Sequence, residues 1–332
     1  MRPSNVTAMK RLSLVALVAY VVTSLGGAPA PSASRAEPGY PWPLKPFNHQ
    51  HPIRGAFGDP RTLDRVEPFG VTRPDDGGLY SFHTGVDIVG APGTPVYPVV
   101  SGKVVVARRH GIVVRASGDR EFYYWHLHGN VERGQKVVAE KTVLGWIRRP
   151  FDHVHFGEID GIHGQNPLAR GHLQPYADHT TPRAVALDFT DGASRELTEG
   201  GVLGPGTRLA IAAIDRPAMP VPGAFAGLPQ TPALVQWRLR TGTVWSPWHV
   251  AADFRQVQPS IFHFWDVYAA GTFQNSPVFA RRLYKGISGL YLFRVGLDTS
   301  RLRPGVYTLE ARVADVRGNH SSTSWPLEVP RR

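Results

Sequence analysis

The sequence predicts an all-β chain: two antiparallel β domains in series. Three observations predict it. Gly 35 and Pro 30 together make nearly a fifth of the 332 residues, against a usual share of about 12%, and that punctuation breaks long helices. Short runs of β-branched and aromatic residues recur between Gly and Pro turns. Charged residues are only 19%, while 8 Trp, 11 Tyr and 15 Phe are enough to fill cores. At about 100–200 residues per domain, the length supports two domains. There is no cysteine. That excludes a disulfide framework, an iron–sulfur cluster, a thiolate nucleophile and Cys-ligated zinc, so any metal must be held by His and carboxylate.

The elements follow in order. Met9-Lys10-Arg11 precedes an uncharged, mostly apolar run from Leu12 to Leu25, too short for an ordinary membrane span of about 20 residues. Small residues follow, with cleavage expected after Ala30 or Ala36. Residues 1–36 are therefore expected to be a signal peptide, making the protein exported, with no stable span once the leader is removed. Losing Arg2, Lys10, Arg11 and Arg35 lowers the formal net charge from +11 to +7. That basic balance suits anionic cell-wall polymers or an ordinary solvated surface. No arginine-rich run or aromatic RNA-binding motif points to nucleic acid.

Over 40–170 the sequence predicts strands at Pro95–Val100, Lys103–Ala107, Gly111–Arg115, Glu121–Leu127 and from Gln135 to Val138. Residues 171–183, with Gly171, Gln174-Pro175 and Thr181-Pro182, are expected to be a linker. Over 184–330, Ala233–Arg240 and Tyr307–Val313 alternate apolar and polar residues. About seven strands fit there, the number for an immunoglobulin-like β-sandwich. This second domain is expected to fold independently and to position the first without supplying catalytic groups.

The chemistry-bearing residues cluster in the first domain. His83-Thr84-Gly85-Val86-Asp87, Tyr124-Trp125-His126-Leu127-His128 and Asp152-His153-Val154-His155-Phe156 each carry histidine. Residues two apart on a strand share a face, so His153 and His155 point the same way. Two such imidazoles can approach one metal, or one can bind while the other works beside it. Asp87 is an oxygen ligand that pairs naturally with His at zinc. Gly85 and Gly90 suggest a tight loop around Asp87. His126 and His128 are expected on one strand face, which makes His128 a rival. Glu158, on the opposite strand face from His155, reads as a surface or supporting carboxylate. His-Glu-x-x-His, phosphate-loop and Gly-x-Ser-x-Gly signatures are all missing.

These segments resemble the lysostaphin-type, or LytM-like, zinc endopeptidases that cut cell-wall peptidoglycan. The ordered motifs are His83-Thr84-Gly85-Val86-Asp87, Gly93-Thr94-Pro95-Val96, Tyr124-Trp125-His126-Leu127, Gly134-Gln135-Lys136-Val137 and His153-Val154-His155-Phe156, with Phe57-Gly58-Asp59-Pro60-Arg61 as an approach loop. The resemblance spans about Pro52 to Leu168. It implies a LytM-like fold, one Zn2+ per chain ligated by His83, Asp87 and His155, and a catalytic pair of His126 and His153. It also implies a peptidoglycan or other cell-wall partner. Arg148-Arg149-Pro150-Phe151-Asp152 departs from the family's glycine-rich approach to His-x-His. Three functional readings follow: a secreted zinc endopeptidase, a non-catalytic wall-binding or enzyme-activating relative, and an adhesion protein acting through its second domain.

Overall fold

The computed structural model describes residues 39–63, 71–72, 79–191, 194–274 and 289–331. The leader expected over 1–36 lies outside them. Among the described residues no helix is long and apolar enough to cross a membrane. Strands dominate, and nearly all pairings are antiparallel.

The first half is built on an eight-stranded sheet. Its order is Ile53–Gly55, Gly85–Val89, His153–Asp160, Arg120–Trp125, Gly111–Arg115, Gly102–Arg108 and Lys136–Val137, with His163–Gln165 added to His153–Asp160. Strand alternation sorts its faces. Val86, Ile88, Val154 and Phe156 are buried in the core, so Asp87, His153 and His155 project from the other side. Leu127–Gly129, Gly145–Ile147 and Pro95–Val96 form a small neighbouring sheet.

Three local expectations change. The strand expected over Pro95–Val100 is limited to Pro95–Val96. Gly85 opens a strand and sits opposite Gly157. A Cβ there would lie 2.3 Å from the Phe156 carbonyl oxygen, so close backbone approach, not a loop, requires glycine. Glu158 is buried rather than at the surface. It accepts from the Tyr40 hydroxyl, from Arg120 Nε at 2.5 Å and from His172 Nδ1 at 2.7 Å. Burial alone would raise its pKa, yet His172, Tyr40 and Arg120 hold it below the usual range.

The second half has two sheets. One runs Ser194–Thr198, Arg183–Asp191, Arg208–Ile214, Tyr291–Val295. The other runs Gly201–Val202, His320–Val329, Gly305–Ala314, Leu234–Thr241, Val244–Trp245, with His249–Asp253 also on Leu234–Thr241. The alternation read at Tyr307–Val313 is present: Leu309, Ala311 and Val313 are buried. Ten strands are described here instead of seven. Two-residue ladders such as Gly201–Val202 and Val244–Trp245 are too short to leave a periodic signal.

The halves share one buried core. Phe82 of the first half lies 5.1–5.9 Å from the rings of Phe254, Phe264 and Tyr268. Residues 171–183 are packed, not free. Leu173 is buried, and Trp42 Nε1 donates to the Pro175 carbonyl at 2.8 Å. Within it Asp178 meets Asp215 and Asp315; Thr180 donates to Asp178 and Asp215, and Asn319 donates to Asp315. Polar contacts reach the approach loop directly. Gln230 Nε2 donates to Ile53 O at 2.6 Å, the Thr231 amide to Asp59 Oδ1 at 3.1 Å, and the Tyr268 hydroxyl to Gly58 O at 2.8 Å. Gly58 has φ +88°, and a Cβ there would lie 2.5 Å from the Phe254 ring. Residues 37–332 form one compact unit.

A shared core gives shared unfolding. Residues 37–332 are expected to unfold in a single calorimetric transition. Phe254→Ala, at a fully buried ring, is expected to cost about 3–5 kcal/mol. It should lower that one transition as a whole. Two resolved transitions, with only the second shifted, would show that the halves are energetically separate.

Candidate metal and catalytic site

Sheet register builds the site. His155 sits directly opposite Asp87 on one side and Trp125 on the other. His83 follows the strand Leu79–Phe82, and its backbone is tied to the approach loop. Its amide donates to Asp59 O at 2.7 Å, and its carbonyl accepts from Gly58 N at 2.9 Å.

Three atoms converge. His83 Nε2 lies 2.8 Å from His155 Nδ1 and 3.1 Å from Asp87 Oδ1, and His155 Nδ1 lies 3.2 Å from that same oxygen. Tetrahedral zinc with bonds of about 2.0–2.2 Å spaces its donors by about 3.3 Å, so the triangle fits such an ion after a slight opening. His83 Nδ1 donates to Ala56 O at 2.8 Å. That bond fixes the tautomer and leaves the Nε2 lone pair facing Asp87 and His155. Burial, aided by the Arg61 charge, lowers His83 to about 3, so the ring is neutral and can ligate at neutral pH.

Asp87 is the buried charge of the site. Burial would push its pKa up. His83, Arg54, His153 and the His155 hydrogen bond nevertheless hold it well below the usual carboxylate range. Its second oxygen, Oδ2, pairs with Arg54 at 3.1 Å and Arg61 at 3.2 Å. Oδ1 is thereby left for the triangle.

His153 and His126 stand beside it. His153 Nδ1 is 3.2 Å from Asp152 Oδ1 and its Nε2 is 2.9 Å from Arg54 Nη2. The neutral ring therefore donates at Nδ1 and carries its lone pair at Nε2. Burial lowers its pKa, against the pull of Asp87 and Asp152. The His126 ring lies 4.7 Å from His153 and 6.4 Å from His155. Burial and His153 lower it to about 2.

The backbone at His126 was not legible. Its φ is +69°, a left-handed conformation that non-glycine residues adopt rarely, histidine more readily than most. The strand therefore breaks between Arg120–Trp125 and Leu127–Gly129, and the alternation that would put His126 and His128 on one face is interrupted. His128 is exposed and pairs with Trp146.

All five residues singled out from the sequence thus meet in one place. The structure adds others. Asp152 was visible only as the neighbour of His153. Phe151, in the segment that departs from the family pattern, stacks on His126 at 3.9 Å and 12°, with Arg148 above its ring at 4.7 Å. Arg54 comes from the edge strand Ile53–Gly55 and has no local signal, and Arg61 closes the approach loop Phe57-Gly58-Asp59-Pro60-Arg61.

Comparison with known proteins places these residues in a family. Residues 81–163 match the profile of Peptidase family M23. No curated protein matches the chain. Among solved structures it is similar to a chain of the SpoIIIAH–SpoIIQ complex, at 22% identity over 39% of this chain and 98% of that one, TM-score 0.29. It is also similar to a zinc-containing peptidase from Vibrio cholerae, at 26% identity over 37% of each chain, TM-score 0.23. A third is the catalytic domain of the prophage-encoded M23 protein EnpA from Enterococcus faecalis, at 25% identity over 33% of this chain and 92% of that one, TM-score 0.24. The stretch 81–163, which holds His83, Asp87, His126, His153 and His155, is a domain of peptidase family M23.

Proposed function

We propose that this protein is an exported, zinc-dependent endopeptidase that hydrolyses peptide bonds in the cross-links or stem peptides of peptidoglycan. The convergence of His83 Nε2, Asp87 Oδ1 and His155 Nδ1 within 3.2 Å, next to two further neutral imidazoles, carries this reading. Two histidines and a carboxylate are a catalytic zinc donor set that keeps an open position. When bound, the ion supplies Lewis acidity to the scissile carbonyl and to water.

The remaining steps belong to the chain. His153, oriented by Asp152 at Nδ1, is the proton acceptor at Nε2, as an aspartate-held imidazole is in other hydrolases. Water reaching that lone pair replaces Arg54 there, and Arg54 keeps its bond to Asp87 Oδ2. His126, packed under Phe151, faces the same space and acts as hydrogen-bond donor to the developing oxyanion or the leaving amine. A wall-binding or enzyme-activating relative is the alternative. The presence of all five site residues favours turnover.

The test pairs metal content with rate. His83→Ala, Asp87→Ala and His155→Ala are each expected to lower zinc per protein strongly. His126→Ala and His153→Ala should keep the metal but cut peptidoglycan cleavage by about 10²–10⁴-fold. Fragments identified by mass spectrometry would name the bond. A wild-type protein that holds zinc but releases no fragments would leave the activator reading in place. Zinc lost from His126→Ala but kept by His155→Ala would reverse the ligand assignment.

Acid should weaken the metal-free protein. Unfolded histidine binds a proton below about pH 6.5, whereas folded His83 and His126 resist it down to about 3 and about 2. The unfolded state then holds more protons, so stability falls as pH drops below about 6.5. Each such proton contributes up to about 1.4 kcal/mol per pH unit. Urea unfolding in chelator between pH 7 and 4 should show this slope, and His83→Asn should make it shallower. A slope unchanged in the variant would mean that His83 is not buried neutral.

A further inference from the structure

The second half lays an aromatic ring, Phe225, against a side chain of the site. The chain leaves the strand Arg208–Ile214 and returns at Gln230, and the neck is closed by paired bonds between Asp215 and Gln230 at 2.8 and 3.0 Å. At the far part of this excursion, the turn Gly223–Phe225 carries Phe225. The Arg54 guanidinium carbon lies 3.9 Å from the centre of that ring, the distance of a close cation–π contact. Arg54 is 13% exposed, and the same Nη2 reaches His153 Nε2 at 2.9 Å and Asp87 Oδ2 at 3.1 Å. Phe225 therefore rests on the one side chain that spans both the proposed proton acceptor and the proposed ligand.

We propose that the second half is a working part of the peptidase site, with Phe225 and Arg54 as positioning residues that hold the Asp87 carboxylate in place beside His153. The inference rests on the peptidase reading. Four further contacts from the second half hold the segment Ile53–Arg61, whose strand carries Arg54 and whose loop follows it. Gln230 binds Ile53 O, Thr231 binds Asp59, Tyr268 binds Gly58 O, and Phe254 fills the space beside Gly58. Ala56, within that loop, fixes the His83 tautomer. The loop is gripped on one side by the second half and grips His83, Asp87 and His153 on the other. A planar ring covering a guanidinium limits its tilt, and a misplacement of about 1 Å at a catalytic group can cost about 10²-fold in rate.

Phe225 is partly exposed and lies on a short turn, so its removal need not unfold the protein. In the full chain, Phe225→Ala is expected to lower kcat about tenfold or more on a soluble cross-linked muropeptide, with KM changed less than twofold. Zinc content and Tm should remain at the wild-type level. The visible spectrum of the cobalt(II)-substituted protein should shift, because Asp87 has lost the fixed orientation of its Arg54 partner. Phe225→Tyr, which keeps the ring face, should restore both kcat and spectrum. The proposal is overturned if Phe225→Ala matches wild type in rate and spectrum. It is equally overturned if rate falls only in step with Tm and metal content, or if Phe225→Tyr does not restore. A wild-type protein that cleaves nothing would defeat the peptidase reading. The cobalt(II) spectra of Phe225→Ala and Phe225→Tyr would still decide whether the second half sets the site.

Discussion

Asp87 buries a carboxylate at 3% exposure, and the surrounding structure answers to that charge. An ionised carboxylate taken out of water costs several kcal/mol unless it is paired and hydrogen-bonded. Here the partners come from three directions: His83 just before its own strand, His155 from one adjacent strand, and Arg54 and Arg61 from the other adjacent strand, Ile53–Gly55, and the approach loop that follows it. Each partner needs support in turn. His83 is held by Ala56, and Arg61 also faces Asp59 at 3.7 Å. Asp59 is itself fully buried, and burial raises it to about 6 despite Arg61 and the amides of Thr231 and Ala56. A charge placed for chemistry thus recruits a polar layer, and that layer reaches into the second half through Thr231.

Register makes this arrangement intolerant of slippage. His155 faces Asp87 across an antiparallel pair, with Val154 opposite Ile88 and Phe156 opposite Val86. A slip of one residue would put Val154 beside Asp87 and drive His155 into the core. The apolar positions that specify the fold therefore also specify the geometry of the His83, Asp87 and His155 triangle. His126 is different. It is delivered by a break in the ladder, and its left-handed backbone belongs to the unusual conformations that gather at functional sites.

This contrast explains what the sequence could convey. A short β-branched run marked the strand around Val113, period-two alternation marked the one around Leu309, and strand spacing alone placed His153 and His155 on one face. His83, Asp87 and His126 were legible through ordered motifs. The left-handed φ of His126 leaves no mark in the sequence, so spacing alone puts it on one face with His128. Glu158 looked like a surface acid because Tyr40, Arg120 and His172, which bury and pair it, are 118, 38 and 14 residues away. Arg54 and Phe225 are 171 positions apart in the numbering, and their contact exists only once the halves dock. Long-range pairing is the part that local pattern does not carry.

The charges around the site close the argument. Arg54 and Arg61 face Asp59, Asp87 and Asp152 at 3.1–4.0 Å. Two cations against three carboxylates leave this layer one negative charge. A divalent ion in the triangle would turn the total to one positive, and a single negative charge on a scissile carbonyl oxygen would bring it to zero. The site would then be balanced for the charge that develops during the proposed reaction rather than for the neutral substrate, which is the preference catalysis requires. Without Arg54 and Arg61, the same ion beside three carboxylates would already be overcompensated, and a further negative charge would be repelled. The two arginines, both on the segment Ile53–Arg61 that the second half packs against, therefore serve Asp87 twice: they make its burial tolerable, and they would leave the loaded centre with one net positive charge.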